Sequence, residues 1–150
     1  MLQARLSWAI LISIIFLMSS INLQAQLTQH RWNHRIILVF SVNESDSLAI
    51  EQMKLLQADQ LGLEDRDLVI YQLFQAKGID PLGKEMTAKE IEKWRRKYQI
   101  KSTEFAVILI GKDGGEKLRS TQKLLPRDLL YRTIDAMPMR RAEMRRKKQE

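Results

Sequence analysis

The sequence predicts an α/β domain, a three-layer sandwich around a mixed central sheet, and three observations lead there. First, Arg35–Val42 and Phe105–Ile110 are continuous β-branched and aromatic runs, the pattern of strands buried on both faces rather than one. Second, Asp67–Phe74 is another strand-like run, separated from the first by an amphipathic stretch of crossover length, which predicts a parallel, right-handed β-α-β unit. Third, Gly111-Lys112-Asp113-Gly114-Gly115 supplies a glycine-permitted turn after the third strand, so Glu116–Ser120 should return antiparallel as a hairpin. With 150 residues, 45% hydrophobic and 29% charged, six glycines and three prolines, the chain has room for one packed domain. A single domain rather than a two-domain enzyme is expected.

From the amino terminus, Met1, Arg5 and the apolar run Leu6–Met18 lead to Ser19, Ser20 and Leu23-Gln24-Ala25. The run falls short of the roughly 20 residues that span a bilayer, and Ala25 offers a small residue at a cleavage point. Residues 1–25 are therefore expected to be a signal peptide cleaved after Ala25, and the rest to be exported to the periplasm or beyond the cell. Leu23 is bulkier than the small residue preferred two places before cleavage, which keeps an uncleaved N-terminal membrane anchor as the alternative. Beyond residue 25 the chain carries 24 basic and 18 acidic residues, a net +6, of which residues 137–150 supply +4. The expected organisation is thus a domain over 26–136 and a basic tail over 137–150.

Within the domain, Asn43, Ser45 and Asp46 offer caps to a first helix whose Leu48, Ile50, Met53, Leu56 and Leu61 fall on one stripe ending near Gly62. Residues 75–84 hold Gly78, Pro81 and Gly83 and read as a loop. Thr87 and Glu90 form a capping box for a second helix with Ile91, Trp94 and Tyr98 inward. Pro126 begins the last helix, with Leu129, Leu130, Ile134 and Met137 inward. The resulting order, β-α-β-α-β-β-α, is thioredoxin-like.

Cysteine is absent, which removes thiolate nucleophiles, disulfides, cysteine-based zinc sites and iron–sulfur clusters from consideration. In a thioredoxin-like redox protein the reactive thiols follow the first strand, where the helix start favours a thiolate. Here that stretch reads Ser41-Val-Asn-Glu-Ser-Asp46, and no histidine lies in it to activate a serine. No catalytic residue is assigned. His30 and His34 have a metal-compatible spacing but no evident third ligand, so exposed or hydrogen-bonded histidines are the better reading and neither metal nor cofactor is expected. Asp65 and Asp67 flank Arg66 and read as a local ion pair. Gly111-Lys112 fails as a phosphate-binding loop because Ala106 stands where glycine is needed and Asp113 where serine or threonine is needed. On the second helix Arg95, Arg96 and Lys97 should face water while Trp94 and Tyr98 face the core.

Four segments together resemble a domain of unknown function: Arg35–Phe40, Arg66–Ile70, Ile110–Arg119 and Ile134–Arg141. That domain occurs in small exported bacterial proteins and in the vertebrate matrix proteins equarin and the sushi-repeat-containing proteins. The resemblance implies a thioredoxin-like fold, distantly similar to peroxiredoxins, without an established activity. It also nominates Lys112, Asp113, Lys117, Arg119, Asp135, Arg140 and Arg141 as a shared surface, either a ligand site or a structural seam. An ion pair from Asp135 to Arg140 or to Arg35 serves the second. The functional expectation is an exported, non-catalytic module that binds a protein or an anionic envelope partner through the hairpin turn and the basic tail. The tail is a candidate for peripheral membrane contact, and export argues against nucleic acid. The competing class is an oxidoreductase relative that has lost its cysteines or acts through the thiols of a partner.

Overall fold

The computed structural model describes residues 28–149; the expected signal segment, 1–25, lies outside the described residues. The central six-stranded sheet comprises β1 (Arg35–Phe40), β2 (Leu68–Leu73), β3 (Lys77–Ile79), β4 (Glu85–Thr87), β5 (Ala106–Ile110) and β6 (Glu116–Thr121), in the spatial order β4-β3-β2-β1-β5-β6. The β1–β2 pair is parallel and every other pair antiparallel, so the sheet is mixed. The helices are α1 (Ser47–Gln57), α2 (Gln60–Asp65), α3 (Ala88–Tyr98), α4 (Arg127–Asp135) and α5 (Pro138–Lys147).

Period-two alternation in β1 and β5 divides the core into two. Ile36, Leu38 and Phe40 with Ala106, Ile108 and Ile110 meet Ile91, Trp94 and Tyr98 of α3 on one face. Ile37 and Val39 with Val107 and Leu109 meet Ala49 and Leu56 of α1, Leu63 of α2, and Leu130 and Ile134 of α4 on the other. Helices thus cover both faces, as the unbroken apolar runs require. The capping box of α3 forms as the spacing predicts, with Thr87 Oγ1 accepting from Glu90 N–H and the Glu90 carboxylate accepting from Thr87 N–H.

Four local readings are corrected. Residues 75–84 are not all loop, because β3 forms within them and, with β4, extends the sheet beyond β2. The first helix stops at Gln57, and Asp59 caps the separate short α2 by accepting from Gly62 N–H. Of the expected stripe, Ile50 and Leu61 are exposed, and Gln52 is buried instead. Arg95 does not face water: it is buried, and its guanidinium donates to the carbonyls of Ser41 at 2.5 Å and Lys101 at 2.6 Å. Finally, residues 138–147, expected as a basic tail beyond the domain, are helical and folded against it, for reasons of charge set out below.

Candidate functional site

Three chain segments reach the edge of the sheet at which β1 and β2 begin and β5 ends. They bring Arg35, the first residue of β1, Asp65, Arg66 and Asp67 ahead of β2, and Lys112 just after β5. Helix α5 lies over this edge and supplies the complementary charges. Glu143 accepts from Arg35 Nη2 through both oxygens, each at 3.2 Å, and from Lys112 Nζ at 2.8 Å. Lys112 donates also to Asp67 at 2.7 Å. Asp135, at the end of α4, accepts from Arg66 at 2.7 and 3.1 Å and from Arg140 Nε at 3.2 Å. Arg140 further donates to the Asp65 carboxylate and, at 2.5 Å, to the Asp65 carbonyl, while Lys147 reaches Asp65 at 2.7 Å. Hydrogen bonds from Lys147 and Arg140 outweigh burial and hold the Asp65 carboxyl below the ordinary carboxylate range.

Burial gives this network its weight. Arg35 is 1% exposed, Arg140 3% and Lys112 9%, whereas no apolar side chain of α5 is fully buried. The helix is therefore held chiefly by ion pairs. Removal of one partner leaves a buried charge without compensation, which is far costlier than loss of a surface pair.

Of the nominated residues, Lys112, Asp135 and Arg140 are brought together in this network. Asp113 and Lys117 pair with each other at 2.6 Å beside it, in the hairpin turn, and the hydrogen bond from Lys117 holds the Asp113 carboxyl low. Arg119 stands apart, clamped on Glu116 at 2.7 and 2.8 Å and donating to the Tyr98 carbonyl at 2.9 Å. Arg141 is exposed on α5. The expected pair Asp135–Arg140 is present, while Arg35 pairs with Glu143 instead. Asp65 and Asp67 make their shortest pairs with distant residues rather than with Arg66, the Asp65–Arg66 approach being 3.9 Å. Glu143, the hub, carries no local sequence signal beyond being the one acid in a basic run, ahead of the terminal Glu150.

Two other faces of α5 matter. Arg141, Arg145 and Lys148 follow one another at spacings of four and three, so they form a stripe on the side away from Arg140, Glu143 and Lys147. All three are exposed, and their side chains have no hydrogen-bonding or charged partner among the described residues. Between the hairpin turn and the start of α5 lies a cavity of about 230 Å³ lined by Arg35, Gly111, Lys112, Lys117, Met137 and Met139 among others.

The opposite edge of the sheet, where β1 ends, is where a thioredoxin-like redox centre would sit. Ser41 there is fully buried, and its hydroxyl donates to the Asn43 carbonyl at 3.1 Å. At the amino-terminal side, His30 Nε2 is 2.9 Å from the Tyr71 hydroxyl and His30 Nδ1 is 3.3 Å from His34 Nδ1. The histidines are partners to each other and to the core, and the described residues hold no group of three metal-ligating side chains. Burial pushes His30 below its ordinary value, the His34 charge adding to the effect, and pushes Tyr71 up to about 12. No helix among the described residues is long and apolar enough to cross a membrane.

Comparison with known proteins places the chain. It belongs to the DUF4174 family, a domain of unknown function, whose family pattern matches residues 26–143 and so runs through most of α5. Coiled-coil domain-containing protein 80 of Danio rerio is 27% identical over 82% of this chain. The chain spans only 16% of that relative's length. In structure the chain is similar to a reduced 2-Cys peroxiredoxin of Plasmodium vivax, with a TM-score of 0.57 and 14% identity over 77% of this chain and 84% of that one. The likeness establishes the thioredoxin-like fold.

Proposed function

We propose that this DUF4174 domain is an exported, non-catalytic binding module whose partner is an acidic protein segment or polymer of the cell envelope, engaged by the outward stripe of α5. Kinship with the equarin and sushi-repeat-containing matrix proteins, and export through residues 1–25, are parts of the same proposal. The observation that carries it is the division of charge on α5: Arg140, Glu143 and Lys147 are spent on the domain, while Arg141, Arg145 and Lys148 are presented together and have no partner among the described residues. A helix anchored by one face holds the other in fixed register, which favours an extended polyanion over diffuse counterions. The hairpin cations contribute less than the sequence suggests, because Lys112, Lys117 and Arg119 already have carboxylate partners.

The test is binding of fluorescent poly-glutamate by the purified protein and by its R141E/R145E/K148E variant, at low and raised salt, beside vesicles with and without anionic lipid. The proposal expects salt-sensitive binding of poly-glutamate that the variant loses by about tenfold or more. Equal binding by the variant contradicts it, and binding confined to anionic vesicles assigns the stripe to the membrane instead. The peroxiredoxin-like fold favours one other reading, an oxidoreductase acting through a partner's thiols. It requires peroxide consumption in the presence of a thiol-bearing partner, and a flat response ends it.

A further inference from the structure

We infer that His30 and His34 chelate one divalent transition-metal ion through their Nδ1 atoms, in an open site completed by water, and that Cu(II) is the ion held tightest. The pair lies ahead of β1 and is no part of the outward stripe of α5, so the inference stands whether or not that stripe binds a polyanion.

The backbone builds the pair. His34 N–H donates to the His30 carbonyl at 2.8 Å, closing a turn that brings side chains four apart to one side. Within that turn Trp32 has a φ of 70°, a conformation costly for a bulky residue, and its N–H donates to the Lys112 carbonyl at 2.7 Å. The turn is thus pinned to the domain at its middle, and β1 begins directly after His34. The two Nδ1 atoms stand 3.3 Å apart, on rings inclined at 79°. Nitrogens held at about 2.0–2.1 Å from a tetrahedral metal ion are themselves about 3.3 Å apart, so rotation of the rings, without a shift of the backbone, admits the ion.

The other nitrogen of His30 is fixed from behind. Nε2 is 2.9 Å from the Tyr71 hydroxyl, and burial, which pushes that phenol up to about 12, keeps it protonated at neutral pH. With the Tyr71 oxygen accepting from Nε2–H, Nδ1 keeps the lone pair that a metal ion requires. Imidazoles that bind metal carry such a hydrogen bond on their other nitrogen, which orients the ring and raises its basicity. Because Nε2 faces the core, Nδ1 is turned the other way, toward the half-buried His34 and the exposed residues 31–33. The charge of Asp80 favours a cation at this place.

Ligand chemistry selects the ion. Imidazole suits Cu(II), Ni(II) and Zn(II) rather than magnesium or calcium, and Cu(II) heads that series. The described residues hold no group of three ligating side chains, so the site is open, with water in the positions that two histidines leave.

The experiment is a titration of the purified, tag-free protein with the chlorides of copper(II), nickel(II) and zinc(II), with electron paramagnetic resonance of the copper complex. His30 and His34 are the two histidines of the chain and cysteine is absent, so competing ligands are few. One equivalent of Cu(II) is expected, with a spectrum that shows two nitrogen ligands, and weaker binding of Ni(II) and Zn(II). H34Q alters the half-buried partner and spares the core, and it should lower Cu(II) affinity by more than the loss of about tenfold expected in Y71F. Cu(II) bound undiminished by H34Q, or through fewer than two imidazole nitrogens, overturns the inference. The nitrogen count is read on the unsubstituted protein and so decides the matter even if a variant fails to fold. Undiminished affinity in Y71F overturns the role given to Tyr71, and tighter binding of Zn(II) than of Cu(II) overturns the choice of ion.

Discussion

Glu143 and Arg35 meet at 3.2 Å across 108 residues of chain, and this pair ties the last helix to the first strand. Arg35 is effectively withdrawn from water, so the pair's role is to neutralise a charge that the domain already buries. E143Q should lower unfolding stability by about 3 kcal/mol. K147A, which removes a largely exposed pair with Asp65, should cost less than about 1 kcal/mol. Equilibrium chemical denaturation of the two variants checks the contrast.

Gln52 takes the place of an apolar residue in the core beneath α1. It accepts from Leu125 N–H at 2.7 Å and donates to Leu125 C=O at 3.2 Å, so one side chain satisfies both polar groups of a buried backbone unit. Q52L keeps the volume and orphans both groups. A loss of about 2 kcal/mol is expected in the same denaturation measurement.

Gly78 of β3 faces the Gln72 carbonyl of β2 so closely that an added Cβ would stand 2.7 Å from that oxygen and 2.9 Å from Ile91 Cδ1. The oxygen belongs to sheet backbone and cannot swing away. G78A should therefore displace β3 and cost about 2 kcal/mol, with hydrogen exchange rising first in β3 and β4.

His30 is buried against Tyr71 and beside His34, and the charge of Asp80 opposes their effect on it. Its folded value lies below the unfolded 6.5, so the unfolded chain takes up the proton first as pH falls. The stability contributed by neutral His30 is complete above that value and is lost below it, toward the lowered folded value. The denaturation midpoint should therefore fall between about pH 7.5 and about pH 5, and H30Q should flatten that part of the profile.

The sandwich was legible because β1, β5 and the β1–α1–β2 crossover announce themselves through local pattern: apolar continuity, helical stripes and a capping box all act over a few residues. Strand β3 was not, because its three residues include Gly78 and carry no alternation of their own; pairing with β2 makes it a strand. Arg95 was misread for a related reason. Its charge suggests water, yet it lies where the carbonyls of Ser41 and Lys101 need donors, a demand visible only in three dimensions. The site was half legible. The resemblance pointed to Lys112, Asp135 and Arg140, which do converge, but the acids that complete the network pair with cations distant in sequence: Glu143 with Arg35 and Lys112, Asp65 with Arg140, and Asp67 with Lys112. A run rich in arginine and lysine reads as a solvated tail until the buried charges beneath it are known.

That α5 is a charge-locked part of the domain is the claim on which the stripe depends. Hydrogen exchange resolved by residue tests it most directly. The account predicts that amides from Arg141 to Lys147 are protected in the native protein, and that E143Q removes that protection while β1 and β5 remain slow to exchange. Exchange of these amides at the rate of an unstructured chain in the unsubstituted protein would contradict it.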